Sequence, residues 1–122
     1  MSKVVFNRTA HMTMWLAIAD KARVTGGIPN NIVLAKEEAL RGMGIREIPS
    51  TYCFACEYVC RNPIGCDACP LKDFDCDLYP FNYVDSLCVE YGGVADEELV
   101  KDFYEMCIVI AMWPVREGIV CQ

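Results

Sequence analysis

Six of the nine cysteines lie between Cys53 and Cys76, and this cluster constrains the chain more than any other feature. It runs Cys53-Phe54-Ala55-Cys56-Glu57-Tyr58-Val59-Cys60, then Cys66-Asp67-Ala68-Cys69-Pro70, then Cys76. Two of the intervals are Cys-x-x-Cys. That gap lets both thiolates of one tight turn point at a single ion, and the chain between Cys56 and Cys66 can bring a second turn to the same point. The spacing therefore predicts a structural zinc held by Cys53, Cys56, Cys66 and Cys69. Redox-active or free thiols are one alternative and an iron-sulfur cluster another, the latter suggested by Cys69-Pro70 although the intervals do not reproduce the ferredoxin run. Cys60 and Cys76 can each replace one of the four, flank the site, join a cluster of more than one ion, or pack as small buried side chains.

Ligation is preferred to disulfides because the chain is expected in the cytosol. Its N-terminus, Met1-Ser2-Lys3-Val4-Val5-Phe6-Asn7-Arg8, has too short an apolar core for a signal peptide, and no run of 18 or more apolar residues exists to span a membrane. A reducing compartment disfavours structural disulfides, and an odd cysteine count cannot pair fully within one chain.

The 122 residues suit a single domain, spanning 1–122, with a metal-knuckle lobe over about 45–77. At 54% hydrophobic, the chain is too apolar to be disordered. The formal net charge of -6 falls further when four thiolates close around a dication, to about -8. Such a surface repels phosphate backbones and disfavours nucleic acid, whereas a basic partner would be attracted.

Apolar periodicity predicts about four helices, so the fold class is mainly α around the knuckle, with short strands allowed beside it. The first helix covers 8–24 after an Asn7 cap, with Met14, Trp15, Ile18 and Ala22 inward and Gly26-Gly27 as its stop. The second covers 31–41, capped by Asn30 or Asn31, with Ile32, Leu34, Ala35, Ala39 and Leu40 supplying apolar contacts before Gly42 and Gly44. A third starts at Pro80 and ends near Tyr91, with Tyr83, Val84, Leu87, Cys88 and Tyr91 on one face. The last runs from Asp96-Glu97-Glu98 to Trp113, with Leu99, Phe103, Met106, Cys107, Ile110 and Trp113 at spacings of three and four.

No catalytic constellation is visible. The single histidine, His11, sits one helical turn before Trp15 and is expected to be packed rather than catalytic. Four thiolates fill a zinc shell and leave no open position for an acidic water, so an enzyme is disfavoured. The zinc-deaminase pattern fails, since the proline follows Cys69 and His11 is followed by Met12-Thr13. There is no Gly-x-Ser-x-Gly and no phosphate-cradling glycine loop. Cys88 and Cys107 fall on apolar helix faces and are expected in the core, with Cys121 exposed. The aromatics Phe54, Tyr58, Phe74, Tyr79, Phe81 and Tyr83 are expected either beneath the ion or as an interaction surface or ligand pocket.

The string Cys53-Phe54-Ala55-Cys56-Glu57-Tyr58, followed by Cys66-x-x-Cys69-Pro70-Leu71 and Cys76, resembles a family of small proteins encoded by bacteriophages and prophages. Thr9-x-His11-x-x-Met14-Trp15-Leu16-Ala17 is similar to that family's opening helix, and Ile110-Ala111-x-Trp113-Pro114-Val115-Arg116-Glu117 to its closing one; Cys60 is an addition to the pattern. The resemblance implies a metal-binding viral protein in the host cytosol, and implies no activity. Small phage proteins outside the replication and virion machinery often bind a host component, including antiviral defence. The expected function is therefore a binding protein that blocks a host protein. The alternatives are a sponge for a small nucleotide signal or an accessory factor in phage gene expression or packaging. A nucleotide sponge would require the few basic residues to converge with the aromatics.

Overall fold

The computed structural model describes residues 6–44, 71–72, 79–117 and 121. Among them are four helices: α1 (Arg8–Thr25), α2 (Ile32–Gly42), α3 (Phe81–Tyr91) and α4 (Glu97–Ala111). The expectation of a mainly helical chain holds, and each helix lies within two residues of its predicted start and end. Strand structure among the described residues is limited to isolated bridges, Phe6 with Cys121 in parallel and Leu71 with Val115 in antiparallel.

Local chemistry explains where the helices begin. The Asn7 side chain accepts from Ala10 N at 3.0 Å, and Asn31 accepts from Val33 N and Leu34 N at 2.8 and 3.2 Å. Asp96 caps α4 by accepting from Glu98 N and Leu99 N, while Glu97 and Glu98 put charge on the positive helix end. Each such cap satisfies backbone donors that the first turn otherwise leaves open. At the other end of α1, Gly26 turns left-handed at φ 70° and returns its N–H to Ala22 O. Pro80 directly precedes α3 rather than forming its first residue, and α4 stops at Ala111, before the expected Trp113.

α1 is the centre of the molecule. It packs most extensively against α4 and also against α2, while α3 lies on α4 and touches α2 lightly. Trp15, Met14, Phe6, Phe103, Leu40, Leu71 and Ile110 are fully buried in one continuous core. Burying each such side chain contributes on the order of 1.5–3 kcal/mol before chain entropy is subtracted. The α1–α2 and α3–α4 turns are tied together, with Gly93 N donating to Ile28 O at 2.8 Å and Ile28 N to Val94 O at 3.4 Å. Beyond α4, Lys72 N donates to Pro114 O and Trp113 Nε1 to Lys72 O, at 2.8 and 2.6 Å. Leu71 and Lys72 are thereby pinned beside the end of α4.

Three inward assignments are corrected. Leu34 is 62% exposed, whereas Ile32 and Leu40 are buried and Ala35 and Ala39 pack against the core as expected, with Lys36 joining them on the inner face. Tyr83 and Tyr91 are each 38% exposed and lie at the margin of the α3 face on which Val84, Leu87 and Cys88 are buried. No described helix is long and apolar enough to cross a membrane.

Candidate functional site

Cys53, Cys56, Cys66 and Cys69, with Cys60, Cys76, Phe54, Tyr58 and Phe74, lie outside the described residues, so the predicted metal knuckle does too. Among the described residues no three His, Cys, Asp or Glu side chains converge as a metal-holding group. The cysteines that are described fall as expected: Cys88 and Cys107 are buried and Cys121 is exposed. Burial, with Asp85 adding to it, pushes the Cys88 thiol up to about 12. Burial raises that of Cys107 as well. Both are therefore core side chains with little thiolate character.

His11 is packed, as expected, and its environment is specific. The side chain is 1% exposed, its ring lies 5.6 Å from that of Phe6, and Nε2 donates to Ile110 O at 3.0 Å across the α1–α4 contact. A carbonyl can only accept, so Nε2 carries the proton and the buried Nδ1 keeps a lone pair with no hydrogen-bond partner among the described residues. Burial holds the His11 pKa below its ordinary 6.5, against the raising effect of the Ile110 bond, and the charges of Lys36 and Arg8 lower it further. Arg8 Nε is likewise buried without a hydrogen-bond partner among the described residues.

The residue that sequence reasoning missed is Lys36. It is 4% exposed, with its ammonium 4.5 Å from the Phe81 ring centre and 5.2 Å from that of Trp15. Those two rings meet edge to face at 6.0 Å. Among the described residues no carboxylate reaches it, because the flanking acids are engaged elsewhere, Glu37 with Arg41 and Glu38 with Lys21. A lysine at the fourth position between Ile32 and Leu40 was the available signal: it falls on the buried stripe.

A second constellation lies where the stretch leading into α3 crosses α4. Tyr79 is 59% exposed, its ring centre stands 6.3 Å from that of Tyr83, and its hydroxyl contacts Met106 Sδ at 3.2 Å. The Tyr83 hydroxyl donates to Asp102 at 3.3 Å. Partial desolvation and then the Asp102 charge keep this phenol protonated to higher pH than usual. The surrounding helices are acidic: α3 and α4 carry Asp85, Glu90, Glu97, Glu98, Asp102 and Glu105, with Lys101 as their one base. Lys101 lines a hollow with Arg23 and Tyr104, toward α1. α1 and α2 carry Arg8, Lys21, Arg23, Lys36 and Arg41 against Asp20, Glu37 and Glu38, so this half of the bundle is the more basic one.

A cleft of about 820 Å³ lies between α1 and α2, walled by Ala17, Ile18, Ile28, Leu34 and Ala35 among others. Of its polar lining, Lys21 pairs with Glu38, the Thr25 hydroxyl donates to Lys21 O, and the Asn31 oxygen caps α2.

No protein-family model, no curated protein and no solved structure matches this chain. What its own geometry gives, among the described residues, is four helices, an exposed tyrosine pair on an acidic face, and a lysine of α2 caged between Trp15 of α1 and Phe81 of α3.

Proposed function

We propose that this chain is a phage-encoded binding protein, stabilised by zinc at Cys53, Cys56, Cys66 and Cys69, that blocks a host protein presenting a basic surface. The observation that carries the reading is the exposed Tyr79–Tyr83 pair on the acidic α3–α4 face. Aromatic side chains supply contact area at low conformational cost, and carboxylates around them attract a basic partner and steer its approach. Tyrosines held by Asp102 and Met106 are partly pre-ordered, which reduces the entropy lost on binding. The host-defence context comes from the phage resemblance alone.

The test is capture from host lysate at low and moderate salt, followed by binding measurements with the purified partner. Tyr79→Ser combined with Tyr83→Ser is expected to weaken binding at least about tenfold, and Asp102→Lys with Glu105→Lys to slow association and remove its salt dependence. A partner whose affinity ignores both pairs of substitutions rules out this face. Elemental analysis addresses the metal: less than about half an equivalent of zinc or iron, or thermal unfolding insensitive to chelation, rejects the zinc-stabilised lobe.

A further inference from the structure

We propose that Tyr79, Tyr83 and Asp102 form a binding site for the guanidinium of an arginine, so that a basic partner is recognised through arginine in preference to lysine. The site belongs to the α3–α4 binding face and rests on that reading, to which it adds the chemical group bound. Asp102 and Met106 stand one turn apart on α4 and receive the two phenol hydroxyls. Tyr83 donates to Asp102 Oδ2 at 3.3 Å, and the Tyr79 hydroxyl contacts Met106 Sδ at 3.2 Å. The rings therefore lie side by side across α4, with a carboxylate at the end of one and a thioether at the end of the other. Their centres are 6.3 Å apart and their planes are tilted by 55°, so neither ring covers the other face to face. More than half of Tyr79 is left in water.

What this constellation lacks is a cation. Asp102 and Glu105 are three residues apart on one side of α4 and both are exposed. Neither is in an ion pair among the described residues, where the paired acids are Glu38, Asp20 and Glu37. Asp102 Oδ2 holds one long hydrogen bond from Tyr83, and Oδ1 accepts none among the described residues. A carboxylate with that much free capacity can take two parallel N–H bonds from a guanidinium. The same planar group lies flat on a phenol ring, while Met106 offers its aliphatic stem a soft apolar contact. An ammonium is compact and strongly hydrated, so lysine answers the charge but neither the fork geometry nor the ring. Phosphates and carboxylates are repelled by the same acids. Arginine is thus the side chain that uses the aromatic and the acidic parts of this face together.

The experiment titrates the full chain by NMR with two peptides of glycine and serine, identical except that one carries arginine where the other carries lysine. At moderate salt the arginine peptide is expected to bind about twofold to fivefold tighter, the range of one exposed cation–ring contact. Its δ-methylene protons should move upfield in the ring current of a tyrosine. Tyr79→Leu, which keeps an apolar side chain at an exposed position, should abolish both the shift and the preference. Asp102→Asn is expected to weaken the arginine peptide at least about threefold. Glu117→Gln, which removes the same charge from an exposed position beyond α4, should leave the preference for arginine unchanged. Undetectable binding of the arginine peptide, equal affinity for the two peptides, or a preference that survives both Tyr79→Leu and Asp102→Asn overturns the site. The α3–α4 reading stands apart from that result: it fails only when a partner captured from lysate ignores Tyr79→Ser with Tyr83→Ser and Asp102→Lys with Glu105→Lys.

Discussion

Mild acid should destabilise this chain through His11. The folded ring is held neutral because burial lowers its pKa from 6.5, whereas in the unfolded chain it titrates near 6.5. As pH falls through 6.5, the unfolded state takes up a proton that the folded state refuses, so stability present above that pH is lost below it, until the folded pKa is reached. One proton sets a limiting slope of about 1.4 kcal/mol per pH unit. Between pH 7 and pH 5 the loss attributable to His11 is therefore bounded above by about 2 kcal/mol, against the roughly 5–15 kcal/mol of an ordinary domain. The assay is urea unfolding by circular dichroism at pH 7, 6 and 5, for the wild type and His11→Leu. The variant gives up one net hydrogen bond, about 1 kcal/mol, because Trp113 N still donates to Ile110 O at 3.2 Å and leaves no orphaned carbonyl. Carboxylates and cysteines titrate in both proteins and cancel in the difference. On acidification the wild type should lose stability relative to the variant, narrowing and then reversing the initial gap of about 1 kcal/mol as the loss approaches its bound; if their stabilities fall in parallel to within about 0.3 kcal/mol, the buried neutral histidine is refuted.

Three further outcomes follow from named contacts. Gly92→Ala should cost about 1–3 kcal/mol by thermal melting, because a Cβ there would meet Cys88 O at 2.5 Å and Asn30 Cα at 2.7 Å, both backbone atoms with little freedom to move. Asp96→Ala should cost about 1 kcal/mol through two lost capping bonds, and an unchanged melt would remove Asp96 from that role. Alkylation mapped by mass spectrometry at pH 8 should label Cys121 well before Cys88 or Cys107, whose thiols are buried and hard to ionise; early labelling of Cys107 would contradict its place in the core.

The helices were legible because their determinants are local. Asn7, Asn31 and Asp96 satisfy open backbone donors within three residues of themselves, Gly26 ends α1 where φ must turn positive, and apolar spacing of three and four marks Met14, Trp15 and Ile18 or Phe103, Cys107 and Ile110 as one stripe each. The same periodicity correctly placed Cys88 and Cys107 in the core and His11 against a neighbour. How far each stripe is covered was decided elsewhere in the chain. Ile32, Lys36 and Leu40 face inward and Leu34 outward because α2 packs against α1, with the rings of Trp15 and Phe81 offering Lys36 a surface that no local pattern announces. Tyr79 and Tyr83 have apolar neighbours in sequence that would bury them, yet α4 supplies Asp102 and Met106 to hold them at the surface. Capping and helical phase are short-range properties written into consecutive residues. The exposed tyrosine pair, the caged lysine and the bare nitrogen of His11 arise from contacts between residues distant in sequence, which exist only once the helices have packed.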